Sequence, residues 1–558
     1  VVRRLNLCLL LVLSGLVAVS VLRHLSYPLL WNDEAETVVY GDRILDYGYP
    51  KVHDGRNVIY ELLAPLEVGT KTNDAYIGST WGQYYFAAPG AAWARRSDDP
   101  WEKTLRVRLP FAVAGLAGLA MLFLAATVGW ESNPDRKLQL ASLFALLVLL
   151  STSLLLHLRE ARHYPLVVLV VGGCLWVQVH RTVLLRMAFR TYVVVQTLLL
   201  FLLFNVFSLP WFALALGLTL ERLLAFRPTE RLRPRLIGLA RDLAPVVGSA
   251  ALLVPVWLYF ETARIAAVLR DSPLRYTRVE HLTALLTYLA GYSTLLPALA
   301  AKAAALLAVR RRRAPGVPEN IRITTQVSDL FWAVIVAYVA CTSLLPFSYE
   351  RYVLVLLPLL MLTLVIDGAT VFSLTRAEAQ RAGSRLLQGF LVLAWLGSAV
   401  SLLPMRLAEL RLHAVELAVP YRGPLDFAVE WIRREYAHPE TLVIATNYEQ
   451  PALVYFLRSH VTVGIAGANL PQDLALQPDL IIFRPWTHQR HALTELADRD
   501  RYEVVRFDVA NLPYNNIPQL APSRFVLVTH QFTTPLPGDP SSVFTVLRRV
   551  PRAEMKGP

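Results

Sequence analysis

Charge is what this chain lacks most. Of its 558 residues, 17% are Asp, Glu, Lys or Arg and 55% are hydrophobic, where a soluble domain carries about a quarter charged residues. With a mean hydropathy of +0.42, that excludes an ordinary soluble enzyme and points to a polytopic membrane protein. Cysteine is scarce as well. Cys8, Cys174 and Cys341 all lie within apolar runs, which excludes a disulfide framework. Lysine is rare beside arginine, and no internal repeat or low-complexity tract stands out. The formal net charge of +13 would suggest a nucleic-acid partner in a soluble protein. Here the arginines sit in short loops between apolar runs, so they read as membrane topology signals, with no nucleic acid implied.

Apolar runs of membrane-helix character recur at about Leu5–Leu25, Leu105–Val128, Leu138–Leu156, Tyr164–Val179, Tyr192–Phe207 and Trp211–Phe226. They continue at Leu243–Phe260, Leu282–Val309, Leu330–Leu345, Tyr352–Phe372 and Leu386–Leu403, about eleven spans in all. The first run follows Arg3 and Arg4. It is longer than a signal-peptide core and lacks a small-residue cleavage site, so it reads as a retained anchor. With those arginines inside and the chain alternating, the inner loops hold Arg136 with Lys137, Arg181 to Arg190, Arg222 to Arg241, Arg310 to Arg313, and Arg376 to Arg385. That is the positive-inside pattern of a multi-pass protein of the cell inner (plasma) membrane.

Two long segments then face out: a loop from 27 to 103, and everything after about Pro404. From about Tyr421 short β-rich runs (Thr441–Thr446, Asp479–Phe483, Glu503–Phe507, Phe525–Thr529, Val543–Leu547) alternate with helical stretches such as Leu425–Tyr436 and Gln450–Arg458. The expected organisation is a helical bundle over 1–404, including the outer loop 27–103, and an extracytoplasmic α/β domain over 405–558 with a partly parallel sheet.

Three polar clusters fall at the outer ends of apolar runs: Asp33, Glu34 and Glu36; His157 to Tyr164; and Ser348 to Tyr352. A bundle can gather such ends around one interfacial pocket. Carboxylates beside arginines there suit a phosphate-bearing lipid substrate, since the guanidinium fork matches phosphate and a carboxylate can accept a proton from an attacking hydroxyl. Each residue also has a structural reading. Asp33 can be a helix N-cap, with Glu36 completing a capping box. Glu160 can be an ion-pair partner of its flanking arginines, and Arg351 can anchor a helix end among headgroups. Tyr164 and Tyr352 suit an aromatic belt. The common sidedness of the three clusters favours a shared site.

These residues carry a family resemblance. The acids after the first run, Arg159-Glu160-Ala161-Arg162-His163-Tyr164 after the third, and Glu350-Arg351-Tyr352 before a Pro-containing run resemble the GT-C superfamily of membrane glycosyltransferases. Within it, they look like bacterial relatives of the protein O-mannosyltransferase and aminoarabinose transferase families (glycosyltransferase family 39-like). The stretch from Ser79 to Phe86 looks like an amphipathic segment of their first outer loop, and Asn447 to Leu453 is similar to their outer C-terminal domain.

The resemblance implies an inverting transfer of a sugar from a polyprenyl-phosphate donor to an acceptor hydroxyl on the outer face. The acceptor would be a lipid, glycan or protein. Asp33 would be the general base, Glu160 the second acid, and Arg351, Arg162 and Arg43 the donor-phosphate ligands. Glu34, His163, Tyr352, Lys51 and His53 are supporting candidates. The aminoarabinose transferases carry Lys-Pro-Pro late in the first loop, where this chain has Trp81-Gly82-Gln83, so the phosphate contacts of that loop differ and Lys51 or His53 would substitute. Metal use varies in the superfamily; a divalent ion here would fall to Asp33, Glu160 and His163.

Other patterns carry less. Asp498-Arg499-Asp500 spells a D-x-D but lies in a charged stretch, and Gly464 to Gly467 lacks the Lys-Ser/Thr of a phosphate loop. Lys302 lies near the inner end of a span, where snorkelling accounts for it. The rival reading is a non-enzymatic transporter, or a lipid-handling or envelope-assembly protein. Transporters place ionisable groups near the midplane within repeated halves, whereas this chain gathers them at one interface.

Overall fold

The computed structural model describes residues 2–550 apart from 61–62, 71, 225–231, 271–276, 312–316, 346–348, 377–385, 387–388, 391–406, 513–518, 522–525 and 529–541. Among the described residues, seven helices are long and apolar enough to cross a bilayer: Arg3–Leu22, Pro100–Ala126, His163–Thr182, Phe189–Val206, Ile237–Tyr259, Glu319–Ser343 and Leu356–Thr375. The pair Arg278–Tyr292 and Leu295–Arg311, bent by 84°, makes an eighth if it forms one broken span. This is a multi-pass membrane protein.

The eleven expected runs divide accordingly. Leu138–Leu156 is a 16-residue helix, Pro134–Leu149, broken before the short helix Thr152–His157. Trp211–Phe226 is the 17-residue helix Ser208–Leu224. At a rise of about 1.5 Å per residue these reach roughly 24–26 Å, short of a ~30 Å hydrocarbon core. Leu386–Leu403 lies, but for 386, 389 and 390, outside the described residues.

Local chemistry sets the helix starts. Pro100 and Pro134 stand first in their helices, where the missing N–H is not needed, behind Asp99 and Asn133. Those caps accept hydrogen bonds from Trp101 N (3.2 Å) and Arg136 N (3.0 Å). A Cβ on Gly118 would lie 2.5 Å from the Leu169 backbone nitrogen, so glycine is what lets Pro100–Ala126 and His163–Thr182 pack backbone to backbone. Gly115, on the same helix, receives Leu158 in the same way. The turn after residue 157 is thereby pressed against the second long span.

Residues 407–418 are helical, and beyond them the chain becomes α/β. The strands are β1 (Val443–Thr446), β2 (His460–Val463), β3 (Leu480–Ile482), β4 (Tyr502–Ala510), β5 (Gln519–Ala521), β6 (Val526–Val528) and β7 (Val543–Arg549). The main sheet has the order β2-β1-β3-β7-β4, with β1 parallel to β2 and β3, and β7 antiparallel to β3 and β4. β5 and β6 pair separately. The expected runs near 441, 479, 503, 525 and 543 contain or meet β1, β3, β4, β6 and β7. β2 was not expected; it is four residues long, directly behind the helix Gln450–Leu457.

The helix Gln450–Leu457 packs on Asn32–Tyr47. Asn57, in the first long loop, donates to Ser459 O (3.1 Å) and accepts from Val461 N (2.8 Å), and Gln450 donates to Val58 O (3.1 Å). Leu29 N donates to Asp426 Oδ1 (2.9 Å). The α/β unit and the loop that carries Asp33 therefore share one side of the protein.

Candidate active site

The helix Asn32–Tyr47 begins at Trp31, whose extended backbone ends the preceding turn, and no side chain caps it. The capping reading of Asp33 and Glu36 is therefore corrected. Both carboxylates face other segments, and Asp33 lies in the first turn, where the helix dipole favours its charge.

Asp33 receives two arginines from distant parts of the chain. Arg351 Nη2 donates to Asp33 Oδ2 at 3.1 Å, and Arg162 Nη2 lies 4.0 Å from the same oxygen. Arg162 also donates to Asp33 O and Thr37 Oγ1, both at 3.0 Å, and pairs with Glu36 at 3.4 Å. Glu36 is buried and accepts from Tyr84 OH at 2.8 Å. Burial raises its pKa, with Arg162 opposing. The Arg351 guanidinium stacks over Tyr349 at 4.5 Å and Trp31 at 5.0 Å. Its Nε and Nη1 are buried with no hydrogen-bond partner among the described residues. Buried donors normally find partners, so these are the groups available to a ligand.

A second cluster adjoins this one. His157 Nδ1 lies 2.7 Å from Glu160 Oε1. Glu350 accepts from Ser153 Oγ and from Tyr288 OH (3.0 Å), while its Oε2 has no hydrogen-bond partner among the described residues. Tyr164 lies within electrostatic range of Asp33, Glu160, Arg162 and Arg351 together. Burial pushes the Glu350 carboxyl up to about 7, partly countered by His157.

Between the ordinary value of 4.5 and about 7, the folded protein keeps a proton that the unfolded chain releases. Stability thus falls as pH rises across that window and levels off above it, by on the order of 3 kcal/mol for this group. Glu350→Gln removes that share of the slope. The check is thermal unfolding in detergent at pH 5 and pH 7.5, where an unchanged difference between the two would refute it.

The remaining expected site residues lie apart from Asp33 or serve structure. Arg43 donates to the carbonyls of Lys51 (2.9 Å), Val52 and Asn57 (3.2 Å) and to Asp54 (2.7 Å), so it braces the loop rather than meeting Asp33. Lys51 pairs with Asp74 at 2.6 Å. His53 is exposed, and its Nδ1 accepts from Gly55 N. Glu34 is fully buried in a two-point pair with Arg108 (2.8 and 2.5 Å) and also accepts from Ala161 N at 2.7 Å.

His163 Nδ1 lies 3.1 Å from Gln83 Oε1, with its ring 4.3 Å from Phe207. Asp33, Glu160 and His163 thus have separate partners, and among the described residues no group of three His, Cys, Asp or Glu side chains is placed to hold a metal ion. Tyr352 packs its ring against Phe207 and Tyr349 and accepts at its carbonyl from Tyr338 OH (2.8 Å). Lys302 forms an ion pair with Asp329 at 2.5 Å in place of the expected snorkelling.

Two contributors carried little sequence signal. Glu350 reads as a flank of Arg351, and only folding buries it. Tyr448 follows β1 at the carboxyl end of the parallel strands, where α/β sheets present ligand-facing loops. It is buried, and its hydroxyl lies within electrostatic range of Asp33 and Arg351.

No family model matches the chain, and no curated protein does. Solved structures do match. The chain is similar to ArnT from Cupriavidus metallidurans in the apo state, at 16% identity and a TM-score of 0.52, over 89% of this chain and 95% of that one. The same protein bound to undecaprenyl phosphate matches at 16% identity and a TM-score of 0.49 over the same shares. The archaeal oligosaccharyltransferase AglB from Archaeoglobus fulgidus, in complex with an inhibitory peptide and a dolichol-phosphate, matches at 11% identity and a TM-score of 0.49, over 89% and 71%. The apo ArnT match spans nearly the whole of both chains and establishes the architecture: this chain has the GT-C membrane fold.

Proposed function

We propose that the protein is a glycosyltransferase that moves a sugar from a polyprenyl-phosphate-linked donor to an acceptor hydroxyl, inverting the anomeric centre. The observation that carries this reading is Arg351, buried beside Asp33 with two donor nitrogens that have no hydrogen-bond partner among the described residues. A phosphate matches those donors in geometry and charge. As Arg351 turns its fork to the phosphate, Asp33 Oδ2 is released from their contact and is free to accept a hydrogen bond from the acceptor hydroxyl.

Asp33 then accepts the proton of the acceptor hydroxyl. The acceptor oxygen forms its bond to the anomeric carbon as the bond from that carbon to the phosphate oxygen breaks. Arg351 and Arg162 hold the charge of the departing polyprenyl phosphate. Glu160 is the second acid of the site. The fold match to an ArnT, a protein also solved with undecaprenyl phosphate bound, supports the lipid-phosphate donor.

The same reading sets the reaction on the outer face of the inner (plasma) membrane. The bundle spans 1–404, and 405–558 forms an extracytoplasmic domain that brings Tyr448 to the site. The acceptor is a lipid, glycan or protein hydroxyl.

The test is incubation of the purified protein with a panel of polyprenyl-phosphate sugars, measuring released polyprenyl phosphate. Turnover is expected with at least one donor, and none with any would overturn the proposal. Arg351→Gln should raise the donor KM and lower kcat/KM by about 100-fold, the loss of charge-assisted contacts to phosphate. An unchanged donor KM in that variant would remove Arg351 from the phosphate site.

A further inference from the structure

A cavity of about 550 Å³ lies between the far half of the Asn32–Tyr47 helix, the loop 54–57, the start of Pro100–Ala126 and the helix Gln450–Leu457 of the α/β unit. Asp42 and Asp46 line it, roughly 14–20 Å along the helix from Asp33 at the α-helical rise. It is therefore separate from the Asp33–Arg351 site. Its lining is basic on balance, with four arginines and Lys103 against three aspartates.

Those aspartates already have partners. Arg95 pairs with Asp42 at 2.5 Å and Asp46 at 2.6 Å, and Arg43 pairs with Asp54 at 2.7 Å. Lys103, Arg56 and Arg458 are left, and none of them has an acid partner among the described residues. Arg56 and Arg458 are exposed at the rim.

Lys103 is the informative member. It is 6% exposed, and its ammonium makes no hydrogen bond or ion pair among the described residues; it stands 5.9 Å over the Tyr455 ring. Arg458 and Arg433 add like charge around it, outweighing smaller opposite contributions from Asp98 and Asp42. It also sits in the first turn of its helix, where the dipole already presents positive charge. The side chain is largely buried and its ammonium opens onto the cavity, where an anion joining it would offset the surrounding positive charge.

We propose that this cavity binds a phosphate oxyanion, with Lys103 as the buried charge and Arg56 and Arg458 as the rim. The phosphate comes either free from solution or on a lipid headgroup. The inference does not depend on sugar transfer at Asp33.

The test uses the full-length protein in phosphatidylcholine nanodiscs. Inorganic phosphate binding is followed by 31P NMR titration, and retention of phosphatidic acid is followed in discs doped with it. Arg458→Gln lies on the surface and should fold normally. It and Lys103→Gln should each weaken binding by about tenfold, the loss of one charge-assisted hydrogen bond, while the remote exposed control Arg499→Gln leaves it unchanged.

Saturable phosphate binding weakened in this pattern supports a site for free phosphate. Phosphatidic acid retained in the same pattern, without phosphate binding, supports a headgroup site. Absence of saturable binding of either probe overturns the proposal, as does binding that Arg458→Gln leaves intact. Because neither readout requires turnover, a failure here is distinguishable from a failure of the transferase reading.

Discussion

Asp33→Asn should lower kcat/KM for sugar transfer by about 10³-fold, within the range of a lost general base, while the protein still folds. The substitution keeps the size of the side chain and a carbonyl oxygen that can accept from Arg351, so the contact at 3.1 Å persists in neutral form. Folding should survive because Asp33 does not cap its helix, and its side chain is 16% exposed.

The variant should also bind polyprenyl phosphate at least as tightly as the wild type, because the anion competing for Arg351 has gone. A split between lost turnover and retained product binding separates a base from a residue that merely holds the site together. Release of polyprenyl phosphate measures the first, and equilibrium binding of polyprenyl phosphate the second. Wild-type turnover in Asp33→Asn would end the base assignment.

The second large effect concerns stability. Glu34→Ala should cost about 3–5 kcal/mol, the usual penalty when one partner of a buried ion pair is removed. Glu34 is fully buried, and Arg108, 4% exposed, donates to both of its oxygens. Arg108 also donates to Leu25 O at 3.1 Å and Pro28 O at 2.6 Å, and Glu34 accepts from Ala161 N. One pair thus joins the exit of the first span, the start of the Asp33 helix, the second long span and the turn that carries Arg162.

Truncating Glu34 leaves a buried guanidinium uncompensated, and Arg162 should lose its register with Asp33. Thermal unfolding in detergent is the measurement. The double variant Glu34→Gln with Arg108→Met should recover much of the loss, because it removes the stranded charge. A midpoint unchanged by Glu34→Ala would show that the pair contributes nothing net.

Much of the site was legible as a set of residue types at the ends of apolar runs. Asp33, Arg162 and Arg351 stood out because charged groups are expensive at a membrane exit, and the structure brings the three together. Their partners were not readable. Glu36 looked like a capping residue and instead pairs with Arg162. Arg43 looked like a phosphate ligand and instead gathers loop carbonyls only eight to fourteen residues away. Glu160 stands between two arginines in sequence but lies against His157, because the turn it occupies points its side chain back along the chain. Glu350 and Tyr448 showed almost nothing in isolation; burial gives each its role.

The sequence by itself determined that this is a helical membrane protein with an α/β segment following the bundle. Long apolar runs must leave water and strand-period runs must pair, and both forces act within a few residues of chain. Only the tertiary structure decided that Arg351 meets Asp33 across more than three hundred residues, that Tyr448 is brought beside them, and that Lys103 is buried with no acid partner among the described residues. Those contacts depend on how closely helices approach, as Gly118 permits between two spans, and on which buried charges can find partners once water is excluded. Neither is encoded at any single position.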